Sequence, residues 1–205
     1  YNFIANSAFY KIYKEFDKPC NEYYLDINAS CPKGDIENSP FSKKVINILK
    51  DLYSNLYRVY FTSIGSSNDY FVQNLDDVEK IGCICLKYWL YHQIVSKGIN
   101  ESQIKELFNG YTQYINGKID NNGDRDNNYC NFNELSLNEI NTLKNIYAFY
   151  AFLYDNDNNI ETCDSEKCKY TNYFGKGLDD FFNSIKKCSI DPSNKNYCNQ
   201  FNEFI

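Results

Sequence analysis

Few side chains in this chain can do chemistry: one His, nine Cys and a scatter of carboxylates. His92 is the only imidazole, so it is the one group whose ordinary pKa suits general base work near neutral pH. The thiol that shares its helical face is Cys85, seven residues earlier. That separation is about two turns, or about 10 Å along a helix axis. A Cys–His nucleophile pair needs hydrogen-bond reach. His92 is therefore read as a packed or surface residue. An enzyme built on it would need to set it in a concave pocket beside a carboxylate. No G-x-S-x-G turn, phosphate-binding loop or dinucleotide fingerprint accompanies it.

Two acidic stretches resemble the start of a calcium loop. In the first, Asp155, Asp157 and Asn159 lead towards Glu166 at the twelfth position, but the sixth position, where the turn needs Gly, is Ile160. In the second, Asp120, Asn122 and Asp124 are followed by Arg125 in the Gly place and Asn131 at the twelfth. Both read as solvated loops, and no metal or cofactor is expected.

The cysteines lie at 20, 31, 83, 85, 130, 163, 168, 188 and 198. Zinc sites need repeated close pairs. Only Cys83 and Cys85, and Cys163 and Cys168, are close, and a lone His offers almost no alternative ligand. Disulfides fit better, which implies an oxidising compartment. Cys20 with Cys31 and Cys188 with Cys198 are favoured by short loops, though each can also reach distant partners. Closing the first loop is worth about 3 kcal/mol in the chain-entropy picture. Cys83 with Cys130 would tie a long polar loop to the most apolar helix. Cys163 and Cys168 are the remaining candidates. With an odd count, one Cys must be free, buried or intermolecular.

At 205 residues the chain fits one large domain or two small ones, and 43% hydrophobic residues suffice for a core. The 20 Tyr and 15 Phe, with abundant Asn, Lys and Ile, look like translation of AT-rich DNA. A net charge of −6 without a basic stripe argues against nucleic acid and against anionic membrane surfaces. Tyr1 is not Met, and neither a signal peptide nor a membrane-spanning stretch is seen, as expected of a mature secreted domain or an excised ectodomain. Asn28-Ala-Ser30 and Asn100-Glu-Ser102 fit the N-glycosylation pattern.

The elements that must position these groups read as helices. Residues 7–17 put Phe9, Ile12, Tyr13 and Phe16 on one face, and Pro19 stops the helix. Pro32-Lys33-Gly34 marks a turn. Ser39 as N-cap with Pro40 at the first helical position opens a helix to about Thr62. Its inward stripe is Val45, Ile48, Leu49, Leu52, Leu56 and Val59, with Lys43, Lys44, Lys50 and Arg58 largely off it. A loop at 63–68 leads to the helix at about 69–97, apolar on most sides around Leu86, Tyr88 and Trp89, with Gly98 as its C-terminal cap. Its apolar run, about 15 residues broken by Lys87, is too short for a membrane span.

Asn100 to Gln103 forms a capping box. It opens a helix carrying Ile104, Leu107, Phe108, Tyr111 and Ile115. Residues 117–131 are the clearest loop, polar and expected to be mobile and exposed, tethered by Cys130. A second box, Ser136 to Glu139, opens a helix to about Tyr154, the natural partner of the 69–97 helix. A loop at 155–160 and a helix at 161–187 follow, with Gly175 and Gly177 marking a place where it could break. A last short helix carries Phe201 and Phe204. No segment alternates with period two, so essentially no sheet is expected. The fold class is all-α: one disulfide-stapled helical domain over 1–205, built around two buried central helices at about 69–97 and 136–154.

Tyr10-Lys-Ile-Tyr-Lys-Glu-Phe-Asp17, then Cys20, and above all Cys83-Ile-Cys-Leu-Lys-Tyr-Trp-Leu-Tyr91, resemble the Plasmodium interspersed repeat (PIR) proteins. These are variant antigens of malaria parasites, and the nearest style is that of vivax-type members. The string C-x-x-L-x-Y-W-L-Y matches at Cys83, Leu86, Tyr88, Trp89, Leu90 and Tyr91. The rest of the chain matches in composition and in its spaced Cys. The resemblance implies an α-helical ectodomain whose transmembrane helix and short tail are absent from this chain. It implies display on infected red cells or parasite-derived membranes, a host cell-surface receptor or antibody as partner, a part in immune evasion, and no catalysis. Cys85 is extra to the string, which nominates it as the unpaired thiol. His92 stands where an acidic residue often follows. The alternatives are a structural ectodomain without a ligand, and a secreted enzyme using His92. Loops 63–68, 117–131 and 155–160 are expected to be the variable, exposed surface.

Overall fold

The computed structural model describes residues 8–20, 31–32, 34–63, 75–119, 130–154, 169–190 and 194–203. Among them are seven helices and no strand: α1 Ala8–Phe16, α2 Lys43–Ser63, α3 Leu75–Ser96, α4 Glu101–Tyr114, α5 Leu137–Tyr154, α6 Lys169–Ile190 and α7 Lys195–Asn202. The fold is all-α, as expected. The loops at 64–68 and 155–160, residues 120–129 of the long polar loop, residues 69–74, Asn28, Cys163, Cys168, Phe204 and the first calcium-like stretch lie outside the described residues, as do Asp120, Asn122, Asp124 and Arg125 of the second.

α3 is the hub. It packs against α1, α2 and α5; α2 also holds α4, and α5 also holds α6, which carries α7. The reason is in its composition. Ile81, Ile84, Cys85, Leu86, Trp89, Leu90, Tyr91 and Ile94 are all buried, and they occupy too much of the circumference for one neighbour to cover. Burying side chains of this size is worth about 2–3 kcal/mol each, so three neighbours are held by one helix. The anchor Leu86 is fully covered and Trp89 nearly so. Tyr88 is only half-buried, because its ring lies under α1 against Phe9 and Tyr13 and not in the central core.

Local signals set the corner between α3 and α4. Gly98 adopts φ +60°. Its N–H donates to the Val95 carbonyl at 3.2 Å, and the Ile99 N–H donates to Ile94 at 3.0 Å. Both bonds of the Schellman motif are therefore made, with buried Ile94 and Ile99 as its apolar contact. Asn100 follows at once. Its side chain accepts from the Gln103 N–H at 2.9 Å, and Gln103 Oε1 accepts from the Asn100 N–H at 3.2 Å. In the second box Glu139 accepts from the Ser136 N–H and hydroxyl at 2.9 Å each, and the Glu139 N–H donates to the Ser136 hydroxyl across a longer 3.4 Å.

Three expectations need correction. Ser39 does not cap α2: its hydroxyl donates back to the Ile36 carbonyl at 2.7 Å, and the helix starts at Lys43. Residues 40–42 are instead held by α4, with the Ser42 N–H on Glu106 at 3.1 Å and Phe41 edge-on to Tyr114. Arg58 is not off the inward stripe but buried. α6 runs unbroken through both glycines. A Cβ on Gly177 would sit 2.7 Å from Phe149 Cβ and 2.8 Å from the Asn145 carbonyl oxygen. That Gly is where α6 meets α5 backbone-close, not where it breaks.

Candidate functional site

α3 places His92 on the face that receives α1, where it is half-buried. The Tyr13 hydroxyl and His92 Nδ1 share a hydrogen bond of 2.7 Å, in which the imidazole tautomer sets which of them donates. Burial, helped by Asp17, pushes the Tyr13 hydroxyl up to about 12, so it stays protonated at neutral pH. Tyr88 stacks on the imidazole at 6.0 Å between centroids and Tyr13 meets it edge-on at 5.8 Å. Burial, with Lys144 adding to it and Asp17 opposing, holds His92 below its usual range. Among the described residues no carboxylate hydrogen-bonds to the ring. What this arrangement does is fasten α1 to α3.

The cysteines tie three further points. Cys20 bonds to Cys31 and Cys83 to Cys130, each with Cα atoms 5.1 Å apart, and Cys188 bonds to Cys198 at 5.5 Å. The bridge at Cys83 carries residue 130 to the hub helix, and Cys130 turns there with φ 52°. Cys85 is a buried free thiol whose pKa burial raises well above the ordinary value. Disulfides of this number fit an oxidising, extracellular setting. No described helix is long and apolar enough to cross a membrane, and no three described His, Cys, Asp or Glu side chains could together hold a metal ion.

Two buried cations escaped the sequence reading. Arg58 donates through Nη2 to the Lys18 and Pro19 carbonyls at 2.8 Å each, and through Nη1 to the Glu15 carbonyl and to Asn55. It thereby holds the Glu15 carbonyl, which the Lys18 N–H also engages, and the two carbonyls of the segment that follows α1. Lys87 is 2% exposed and pairs with Glu203, its ammonium 5.9 Å over the Phe132 ring. Burial lowers its pKa and Glu203 restores part of the loss. Apart from Asn55, three residues before Arg58, the partners of both cations are distant in sequence, so spacing carried no signal for them.

Glu139 is a third junction. Besides capping α5 it accepts from Asn194 Nδ2 and faces Lys187 at 3.6 Å. Burial alone would raise its carboxyl. The Ser136 backbone and hydroxyl, Asn194 and Lys187 outweigh that and hold it below the ordinary value.

The remaining feature is a surface. On α6, Leu178 and Ile185 are each 38% exposed, Phe182 60% and Ile190 71%. Leu178, Phe182 and Ile185 follow i, i+4, i+7 spacing, so they form one stripe. Gly177, Ser184 and the half-buried Phe181 and Cys188 make a second stripe, turned towards α5 and α7. Reading the two stripes separately would have flagged the outer one from sequence, since a single neighbouring layer covers only one of them. No protein-family model matches this chain, and neither a curated protein nor a solved structure was found to match it.

Proposed function

We propose that this chain is a display domain, the ectodomain of a PIR-type variant surface antigen of a malaria parasite. In this reading it sits on infected red cells or parasite-derived membranes and presents loop surface to a host cell-surface receptor or to antibody. One observation carries the reading. The residues of the family-like string serve the scaffold: Leu86, Trp89, Leu90 and Tyr91 are buried, Tyr88 lies under α1, and Cys83 is bonded to Cys130. A scaffold fixed in this way leaves connecting segments free to vary without cost to the core. The polar stretch 120–129 fits that role: Ile119 packs on the core just before it, and Cys130 is bonded just after it.

The test is a binding screen of the multimerised chain on red cells, endothelial cells and a panel of immune receptors. A reduced and alkylated sample serves as control. Specific binding that disappears on reduction, and that substitutions within 120–129 abolish, is the expected result. A monodisperse, helical sample that binds nothing on the panel and is not recognised by antibodies from infected hosts would overturn the reading.

A further inference from the structure

We propose that the outer stripe of α6 is a self-association surface that pairs with α6 of a second copy in antiparallel orientation. This inference goes beyond display and does not rest on it. The apolar spacing is that of a short coiled-coil seam: Gly175, Leu178, Phe182, Ile185 and Ser189 alternate steps of three and four residues. A Cβ at Gly175 would meet nothing within 4 Å, so the seam stays open there. One flank turns back to the core through Phe181 and Cys188. The other flank carries Asp179 and Lys186, seven residues apart and both exposed.

Those two charges choose the partner. Among the described residues neither has an ion-pair partner within the chain, although the neighbouring Asp180 and Lys187 are engaged by Asn145 and Glu139. In an antiparallel pair the same flank of each helix faces its copy, so Asp179 meets Lys186 of the second molecule, and the two-fold axis makes that contact twice. In a parallel pair the charged flank would meet the apolar one, and neither charge would be answered. The surface is thus complementary to itself in one orientation only. With three apolar side chains per copy the interface is at the weak, transient end of the range.

Sedimentation of the whole chain from about 10 µM to about 1 mM tests this. The expected result is a reversible rise from monomer to dimer mass that Phe182→Glu abolishes. Asp179→Lys and Lys186→Asp should each weaken self-association about tenfold by placing like charges opposite each other. Mixed in equal amounts, those two variants should pair with each other as well as the parent pairs with itself. That rescue cannot come from misfolding or from indiscriminate stickiness. A chain that stays monomeric throughout overturns the proposal. So does a dimer indifferent to residue 182, or single charge variants that fail to rescue each other. If the stripe instead retains neutral phosphatidylcholine vesicles while the chain remains monomeric, its occupant is a lipid surface and the proposal falls.

Discussion

The guanidinium of Arg58 lies 2.8 Å from the carbonyl oxygen of Pro19, one residue before the Cys20 bridge. A single side chain on α2 therefore closes the end of α1 and positions the first disulfide. Replacing Arg58 by Ala removes several charge-assisted bonds at once and leaves buried carbonyls unanswered. The expected loss is about 2–4 kcal/mol in denaturant unfolding. Lys at this position should recover less than half of it, because one ammonium cannot span carbonyls that a planar fork reaches together. Full recovery by Lys would show that charge alone matters here.

Lys87 and Glu203 set up an asymmetric prediction. Glu203→Ala leaves a buried ammonium without its partner and should cost about 1–3 kcal/mol. Lys87→Met removes the charge and keeps the stem, so it should fall within about 1 kcal/mol of the parent. Thermal unfolding of both variants checks the order, and the reverse order would refute the account of Lys87 as a tolerated burial.

The glycines of α6 should respond in opposite directions. Gly177→Ala forces its Cβ into Phe149 and the Asn145 carbonyl, so α5 and α6 must separate, at about 1–3 kcal/mol. Gly175→Ala meets open space and should stabilise the helix by about 0.5–1 kcal/mol. Equal effects at the two sites would mean that the helices do not approach at residue 177.

His92 makes stability depend on pH in mild acid. Its folded pKa lies below the ordinary 6.5. Below about pH 6.5 the unfolded chain takes up a proton that the folded chain resists, so folding weakens as pH falls from that point. Being the only His in the chain, it gives a single pair of imidazole C–H resonances to follow. The expected midpoint is below 6.5, and His92→Phe should flatten the stability profile between neutrality and that midpoint. A midpoint at or above 6.5 would contradict the packed, tyrosine-bound imidazole.

Cys85 should be silent in the native protein and visible in the unfolded one. A colorimetric thiol reagent is expected to find no reactive thiol before denaturation. Under non-reducing denaturation it should find one per chain, mapping to Cys85, if Cys163 and Cys168 pair. Fast labelling of the folded chain would contradict the burial of the thiol.

Much of the fold was legible because its signals are local. Gly98 with Ile99, the Asn100 box and the Ser136 box each lie within a few residues, and their geometry follows from side-chain type. The all-round apolarity of α3 announced its central place. What stayed hidden depends on contacts across the chain. Ser39 and Pro40 look like a helix start, yet Glu106 and Tyr114 of α4 hold Ser42 and Phe41 outside the helix, which begins at Lys43. Arg58 sits among residues that read as an outer face, and its burial depends on carbonyls about forty positions earlier. Gly177 looks like a breaker until Phe149 is placed against it.

The Cys83–Cys130 bridge has a mechanical consequence. Its sequence separation is 47. Tension applied to the chain ends passes through the sulfurs and bypasses everything between them, including the later part of α3 and all of α4. At roughly 3.4 Å per residue, about 160 Å of contour is withheld from extension. The hub helix is crossed by load only up to Cys83, so the Trp89 region stays slack while the outer helices are drawn out. Because α1, α2 and α5, which cover the hub, all lie on the loaded path, a pulled chain would lose the cover of Trp89 while residues 84–129 stay unextended.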